Sequence, residues 1–176
     1  NCLGDASGEV FLDSLSRVHS LTSLNVHRTR ITPALENSLH VACAVNLQPL
    51  TLKLCLPYLR DKNPSFTDLD LSVELGPRRY NDAAVAILCF ELQGNEHILS
   101  LNLSKNAFGR DGIERLCDVI SKPWCNIQKL GLADNMLIGD DEAEVLAQAI
   151  AENKSLKFVD LERTKINSRG IKALIA

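Results

Sequence analysis

Ile98-Leu99-Ser100-Leu101-Asn102-Leu103-Ser104-Lys105-Asn106-Ala107-Phe108 returns 29 residues later as Ile127-Gln128-Lys129-Leu130-Gly131-Leu132-Ala133-Asp134-Asn135-Met136-Leu137. After the same interval it returns again, as Leu156-Lys157-Phe158-Val159-Asp160-Leu161-Glu162-Arg163-Thr164-Lys165-Ile166. Each copy keeps apolar residues at its first, fourth, sixth and eleventh positions and Asn or Thr at the ninth. Leu21-Thr22-Ser23-Leu24-Asn25-Val26-His27-Arg28-Thr29-Arg30-Ile31 fits the same pattern. Phe66-Thr67-Asp68-Leu69-Asp70-Leu71-Ser72-Val73-Glu74-Leu75 keeps the leucines but sets Glu74 at the ninth position. Successive copies start 45, 32, 29 and 29 residues apart, and repetition at a near-fixed period outranks every other signal in a sequence.

The spacing has direct structural consequences. Leu101 and Leu103 are two apart, so both point to one face of a short strand while Ser100, Asn102 and Ser104 point to the other. The Asn or Thr that follows has a short polar side chain able to satisfy backbone groups as the chain turns. A helix then carries the chain back. Its apolar stripe reads Ile113, Leu116, Cys117, Ile120 in one copy. Equivalent stripes are Leu52, Cys55, Leu56, Leu59; Val85, Leu88, Cys89, Leu92; Ala143, Leu146, Ala147, Ile150; and a shorter Ile171, Leu174, Ile175. Strand and helix alternating in parallel predict a right-handed α/β solenoid. Strands stack at about 4.8 Å and helices at about 8–10 Å, so the array is expected to bend into a horseshoe segment. Its parallel sheet would line the concave face and its helices the convex one.

On these residues the chain resembles the ribonuclease-inhibitor-like leucine-rich repeat family over essentially its whole length. Two lead-ins to strands add to the likeness: Lys122-Pro123-Trp124-Cys125-Asn126-Ile127-Gln128-Lys129-Leu130 and Asn63-Pro64-Ser65-Phe66-Thr67-Asp68-Leu69-Asp70-Leu71. Unlike ribonuclease inhibitor itself, the chain has no cysteine at the Asn/Thr positions, no regular 28/29 alternation and almost no Trp on the concave face. The wider family includes NOD-like receptors, Ran GTPase-activating proteins, tropomodulins, CARMIL-type actin regulators and Tonsoku-type proteins. The resemblance implies a module that binds proteins.

One domain of about five to six repeats is expected over residues 1–176. Asn1-Cys2-Leu3-Gly4 aligns with Asn106-Ala107-Phe108-Gly109, and Gly170 to Ala176 stops inside a helix with no polar cap, so the chain reads as a fragment of a longer protein. A helix over about Asp5 to Arg17 should bury Gly8, Phe11, Leu12 and Leu15. The long first interval places an irregular insertion at about 32–50. It holds either an added helix, which we favour, or a short hidden repeat using Leu47, Leu50 and Leu52. Gly76-Pro77 forces a turn, from which Arg78, Arg79 and Tyr80 are expected to project at the rim.

Candidate partner-binding residues are those of the concave face and that rim. The face offers Ser23, Asn25, His27, Asp68, Asp70, Ser72, Ser100, Asn102, Ser104, Lys129, Gly131, Phe158, Asp160 and Glu162; the rim offers Arg78, Arg79 and Tyr80. Phe158 is an aromatic among polar neighbours, the kind of residue that anchors interfaces. Each of these residues could equally be a solvated sheet or turn position, but an uncovered curved sheet as a whole is a docking surface.

The remaining chemistry is sparse. The formal net charge is -3, with 19 basic and 22 acidic residues, and aromatics make up 5%. Neither favours nucleic acid or an anionic membrane as partner, and no apolar run is long enough to span a bilayer. The start lacks the basic and apolar segments of a signal peptide. Six cysteines (Cys2, Cys43, Cys55, Cys89, Cys117, Cys125) include no CxxC pair, and several fall on helical core positions. Reduced, buried thiols in an intracellular compartment are expected. The sequons at Asn102 and Asn153 are discounted, the first because it falls within a predicted strand. Asp140, Asp141, Glu142 and Glu144 read as a helix start that complements the helix dipole rather than as metal ligands. His19, His27, His40 and His97 match no catalytic or metal spacing, and no nucleotide-binding or hydrolase motif is present. No catalytic residue, metal or cofactor is expected. A protein- or peptide-binding scaffold is the leading reading. A Ran-type GTPase-activating protein, with Arg78-Arg79 as a weak candidate, and a NOD-like receptor sensor segment are the alternatives.

Overall fold

Strands with leucine at alternate positions can bury only one face, so each needs a helix to cover it. The computed structural model, which describes residues 4–15, 23–26, 29–46, 50–73 and 79–175 (side chains at 15, 41, 44–46 and 50 aside), has that organisation. The chain forms two compact units, residues 1–48 and 49–176.

In the second unit, strands β1 (Asp68–Asp70), β2 (Ser100–Asn102), β3 (Lys129–Gly131) and β4 (Phe158–Asp160) pair in parallel in sequence order. Leu69, Leu101, Leu130 and Val159 stand in register. Helix α3 (Leu50–Arg60) precedes β1, α4 (Asp82–Glu91), α5 (Arg110–Ile120) and α6 (Asp140–Glu152) connect the strands, and α7 (Ser168–Leu174) follows β4. The predicted stripes of α4 and α5 are fully buried, together with Leu101, Leu103, Leu130 and Leu132. At the end of the unit burial declines: Val159 and Leu161 are half-buried, while Ile171 and Ile175, expected in a core stripe, are exposed.

The Asn/Thr position has one recurrent task. Asn106 Nδ2 donates to the Leu103 carbonyl, Asn135 Nδ2 to that of Leu132, and Thr164 Oγ1 to that of Leu161, three residues back in every case. The helix starts are linked differently. Asp82, in the first turn of α4, accepts from the backbone N–H of Gly109 and Gly112 at the start of α5. Asp140 of α6 does the same for Asn167 and Gly170 at the start of α7. The start of α6 is capped from within, Glu142 accepting from Gly139 N–H.

Within the first unit, α1 (Asp5–Leu15) and α2 (Pro33–Asn46) pack around Val26, Leu39 and Cys43, with Leu12, Leu24, Ile31, Leu35 and Ala42 against them. Gly8 is buried against α2, and a Cβ there would stand 2.7 Å from Leu35 Cδ2. Phe11, expected beside it, is exposed. Residues 23–26 form no strand pairing among the described residues, but Thr29 Oγ1 still donates to the Val26 carbonyl. Gly4 and Arg30 make an isolated parallel bridge, and Asp5 accepts from Thr32 N–H at the start of α2. Where the insertion was expected, α2 is present.

Cys43, Cys89, Cys117 and Cys125 are buried free thiols and Cys55 a half-buried one; Cys2 lies outside the described residues. Asn153 spends its amide on the turn into β4, donating to the Ile120 carbonyl and accepting from Ser155 and Leu156 N–H. No helix among the described residues is long and apolar enough to cross a membrane.

Candidate functional site

The leucine face of the sheet is filled by the helices, and the opposite face carries the predicted polar positions. Strand register arranges that outward face in rows. Asp68, Ser100, Lys129 and Phe158 form the first row, and Asp70, Asn102, Gly131 and Asp160 the second. On the fourth strand Phe158 is accessible, 58% exposed. Asp68, Asp70, Lys129 and Glu162 are exposed, whereas Ser72, Ser100, Asn102, Gly131 and Asp160 are half-buried. Ser23 and Asn25 are exposed in the first unit.

Several outward residues also hold the backbone. Asp70 Oδ1 accepts from Ser72 N–H, Asn102 Oδ1 from Ser104 N–H and Asp160 Oδ1 from Glu162 N–H. Each side chain thereby closes the turn that leaves its own strand. Gly131 has no side chain to do so, and the gap is taken by its neighbour: a Cβ there would meet Asn102 Oδ1 at 2.5 Å and Ser104 Oγ at 3.1 Å.

Two expectations are corrected. Ser104, read as an open outward position, is buried, its Oγ lying over the second row, where a Cβ on Gly131 would meet it at 3.1 Å. Tyr80, expected to project from the rim, is 2% exposed. Its ring joins Leu52, Leu71, Val85, Leu88 and Leu103, and burial pushes its hydroxyl above the usual range. Tyr80 N–H donates to Asn106 Oδ1 and its carbonyl accepts from Ala107 N–H, which draws the residue inward. Arg79 beside it is exposed. His27 and Arg78 lie outside the described residues.

Where the strands end, the turns carry a line of charge absent from the sequence-based candidate set. Lys105, Asp134 and Arg163 share a left-handed backbone conformation, with φ of 62°, 58° and 53°. Arg163 grips both carboxylate oxygens of Asp134 at 2.6 and 2.8 Å and also reaches Glu162. Arg163 holds the Asp134 carboxyl below the usual range, with Lys105 and Arg79 acting in the same sense. The signal was in the sequence, since these residues occupy one position of successive copies. Met136 and Leu137, in the turn between β3 and α6, are 50% and 54% exposed. The pattern had assigned Leu137 the buried place of Phe108, but Ile138 fills it at 0% exposure, leaving this turn one residue longer.

The acidic start of α6 faces a cation: Arg169 pairs with Asp140, Asp141 and Glu144. Among the described residues no group of three His, Cys, Asp or Glu side chains is arranged to hold a metal.

Comparison with known proteins follows the same periodicity. The sequence profile described as Leucine Rich repeat matches residues 94–117 and 152–174, each a strand with its following helix. NACHT, LRR and PYD domains-containing protein 14 of Homo sapiens is 28% identical across 97% of this chain, a match covering 16% of that protein. NACHT, LRR and PYD domains-containing protein 4E of Mus musculus is 35% identical across 51% of this chain and 10% of its own length. The ribonuclease inhibitor of Sus scrofa is 32% identical across 48% of this chain and 18% of its own length. The match thus spans less than a fifth of any of these relatives.

Proposed function

We propose that this chain, a leucine-rich repeat protein of the ribonuclease-inhibitor-like type, is a segment of an intracellular scaffold that binds a protein or peptide on its outward sheet face. The observation that carries this reading is that face itself. Parallel sheets are ordinarily covered by helices on both sides, whereas here the rows from Asp68 to Phe158 and from Asp70 to Asp160 lie in the open beside a half-exposed aromatic. Strands stacked at about 4.8 Å against helices at about 8–10 Å would bend such an array with this face inward, and a curved face would multiply the contacts one partner makes. Asp68, Asp70, Asp160 and Glu162 against Lys129 give mixed charges that act on specificity and encounter more than on affinity. No step of catalysis belongs to this reading.

A second, narrower reading is a sensor segment of a NOD-like receptor. It is favoured by the relatives bearing NACHT, LRR and PYD names, one of which matches 97% of the chain. The Ran-type alternative rests on Arg79 alone among the described residues, and is tested by GTP hydrolysis by Ran with and without this protein.

The principal experiment selects binders from a displayed library of protein fragments. Phe158→Ala, and separately Asp70→Asn with Asp160→Asn, should each weaken the selected binders about tenfold. The Asn replacements keep the Oδ1 acceptor of each turn, so thermal melting should stay near that of the parent. Binders indifferent to both variants would remove the sheet face as the site.

A further inference from the structure

We propose that the turns leaving β2, β3 and β4 form a second contact surface, one that receives an acidic peptide segment bearing a pair of large apolar side chains. This rests on the protein-binding reading and names the chemistry of one partner segment.

The apolar part comes from the longer turn. Ile138, one residue before the Gly139 cap of α6, occupies the core position that Phe108 holds before the Gly109 cap of α5, and the additional residue leaves Met136 and Leu137 outside together. Leu137 lies over Gly109 of the preceding turn, where a Cβ would stand 3.5 Å from its own. Lys165 of the following turn donates its N–H to Ile138 O. The exposed pair therefore sits between neighbouring turns instead of at an isolated tip. Two adjacent large apolar residues at about half exposure are costly to leave in water unless something covers them.

The charge around that pair selects the occupant. Arg163 is already satisfied by Asp134 and Glu162. Arg79, Lys105 and Lys165 have no ion pair of their own among the described residues, while Arg79 and Lys105 both act on Asp134 from a distance. Among Arg79, Lys105, Asp134, Glu162, Arg163 and Lys165 the cations outnumber the carboxylates by four to two, and the acidic start of α6 beside them is answered by Arg169. The next groups inward on the sheet, Asp70 and Asp160, are acidic. A segment with carboxylates flanking two leucines would set its leucines on Met136 and Leu137 and its carboxylates over Arg79, Lys105 and Lys165. Repulsion from Asp70 and Asp160 would keep it from sliding onto the sheet.

The test uses the full chain and three fluorescent twelve-residue peptides: two central leucines flanked by Asp and Glu, the same leucines flanked by Lys, and the acidic flanks with serines at the centre. Anisotropy should show the acidic dileucine peptide binding about tenfold or more tighter than either control and weakening as salt rises. Met136→Ser with Leu137→Ser should abolish that preference, and so should Lys105→Glu with Lys165→Glu. Lys165 is exposed and Lys105 half-buried, so a thermal melt of this variant alongside the anisotropy separates lost binding from a disturbed turn. Equal binding of the acidic and basic dileucine peptides, or binding unchanged in the Lys105→Glu/Lys165→Glu variant, overturns the proposal. If the peptide fails while Phe158-dependent binders persist, this surface is wrong and the sheet-face reading stands.

Discussion

Asn106 donates its backbone N–H to the side-chain oxygen of Asn135, 29 residues further on, at 3.1 Å, and Asn135 Nδ2 reaches back to the Leu103 carbonyl at 2.9 Å. The two asparagines are both buried and fasten consecutive copies at the point where each strand ends. Asn135→Ala would leave that N–H and the carbonyls of Leu103, Leu132 and Ala133 without this partner. The expected cost is about 3 kcal/mol, as for other buried groups left unpaired. Asn135→Thr should cost less, because Thr29 and Thr164 already make the bond three residues back. Urea denaturation of both variants checks the order; an Ala variant as stable as the Thr variant would refute it.

Helix starts are coupled in a second way. Gly112 admits Asp82 because a Cβ at that position would stand 2.8 Å from Asp82 Oδ1 and 3.0 Å from Phe108 Cβ. Alanine is the better helix former by about 1 kcal/mol, yet Gly112→Ala should destabilise by displacing the carboxylate that caps α5. Asp82→Ala alone should cost about 1 kcal/mol, as lost caps do. Combined, the two should cost less than their sum, since the cap is lost only once. A double-mutant cycle on melting that proves strictly additive would separate the glycine from the cap.

Asp140 makes the equivalent connection to α7, and N–H donation from Asn167 and Gly170, aided by Arg169, holds its carboxyl below the usual range. A carboxyl lowered in the folded state adds stability above its unfolded value near 3.8, and that stability fades as pH falls through the lower folded value. Asp140→Asn should therefore melt lower than the parent at pH 7. The difference should shrink as pH is taken below 4. A gap that stays constant from pH 7 to pH 3 would mean the charge plays no part.

The repeats were legible because a single physical demand, leucine on one side of a short strand, writes itself at fixed spacing. Strands β1 to β4 fall inside the quoted copies, and the stripes of α4 and α5 are buried as the helical period implies. Tyr80 escaped because its fate depends on a hydrogen bond to Asn106, 26 residues away, which no local composition announces. Leu137 escaped because one added residue moves its role to Ile138, and pattern alignment does not see which of two neighbouring apolar residues goes inside. The turn-closing bonds of Asp70, Asn102 and Asp160 show why outward polar residues could not be sorted by type. The same side chain serves its own backbone with one atom and faces solvent with the rest.

Burial also pushes the thiols of Cys89 and Cys117 up to about 12. At pH 8 neither should form thiolate in the folded chain, so both should resist alkylation by iodoacetamide until urea unfolds it. Because the thiol form is favoured in the folded state, stability should decline as pH rises from about 9 towards 12. Mass spectrometry of the alkylated native protein reads the first point, and labelling of Cys89 at the rate of a denatured control would show that the α4 face opens.

Phe158 opens β4 and Leu132 directly follows the neighbouring β3, and the two face opposite sides of the sheet. Leu132 is wholly buried and Phe158 is 58% exposed, so truncating each asks a different question. Leu132→Ala removes atoms from a filled core and should cost about 2–5 kcal/mol. Phe158→Ala removes a ring already half in water and should leave the melting temperature within a degree or two of the parent, roughly the scale of a surface change. Binding should respond in the opposite order: the Phe158 variant, still folded, loses partner affinity, and the Leu132 variant keeps it at temperatures where it remains folded. Calorimetry paired with a binding isotherm below both melting points reads the two effects independently. A Phe158 variant that unfolds early while retaining its affinity would place that ring in the architecture and not at an interface.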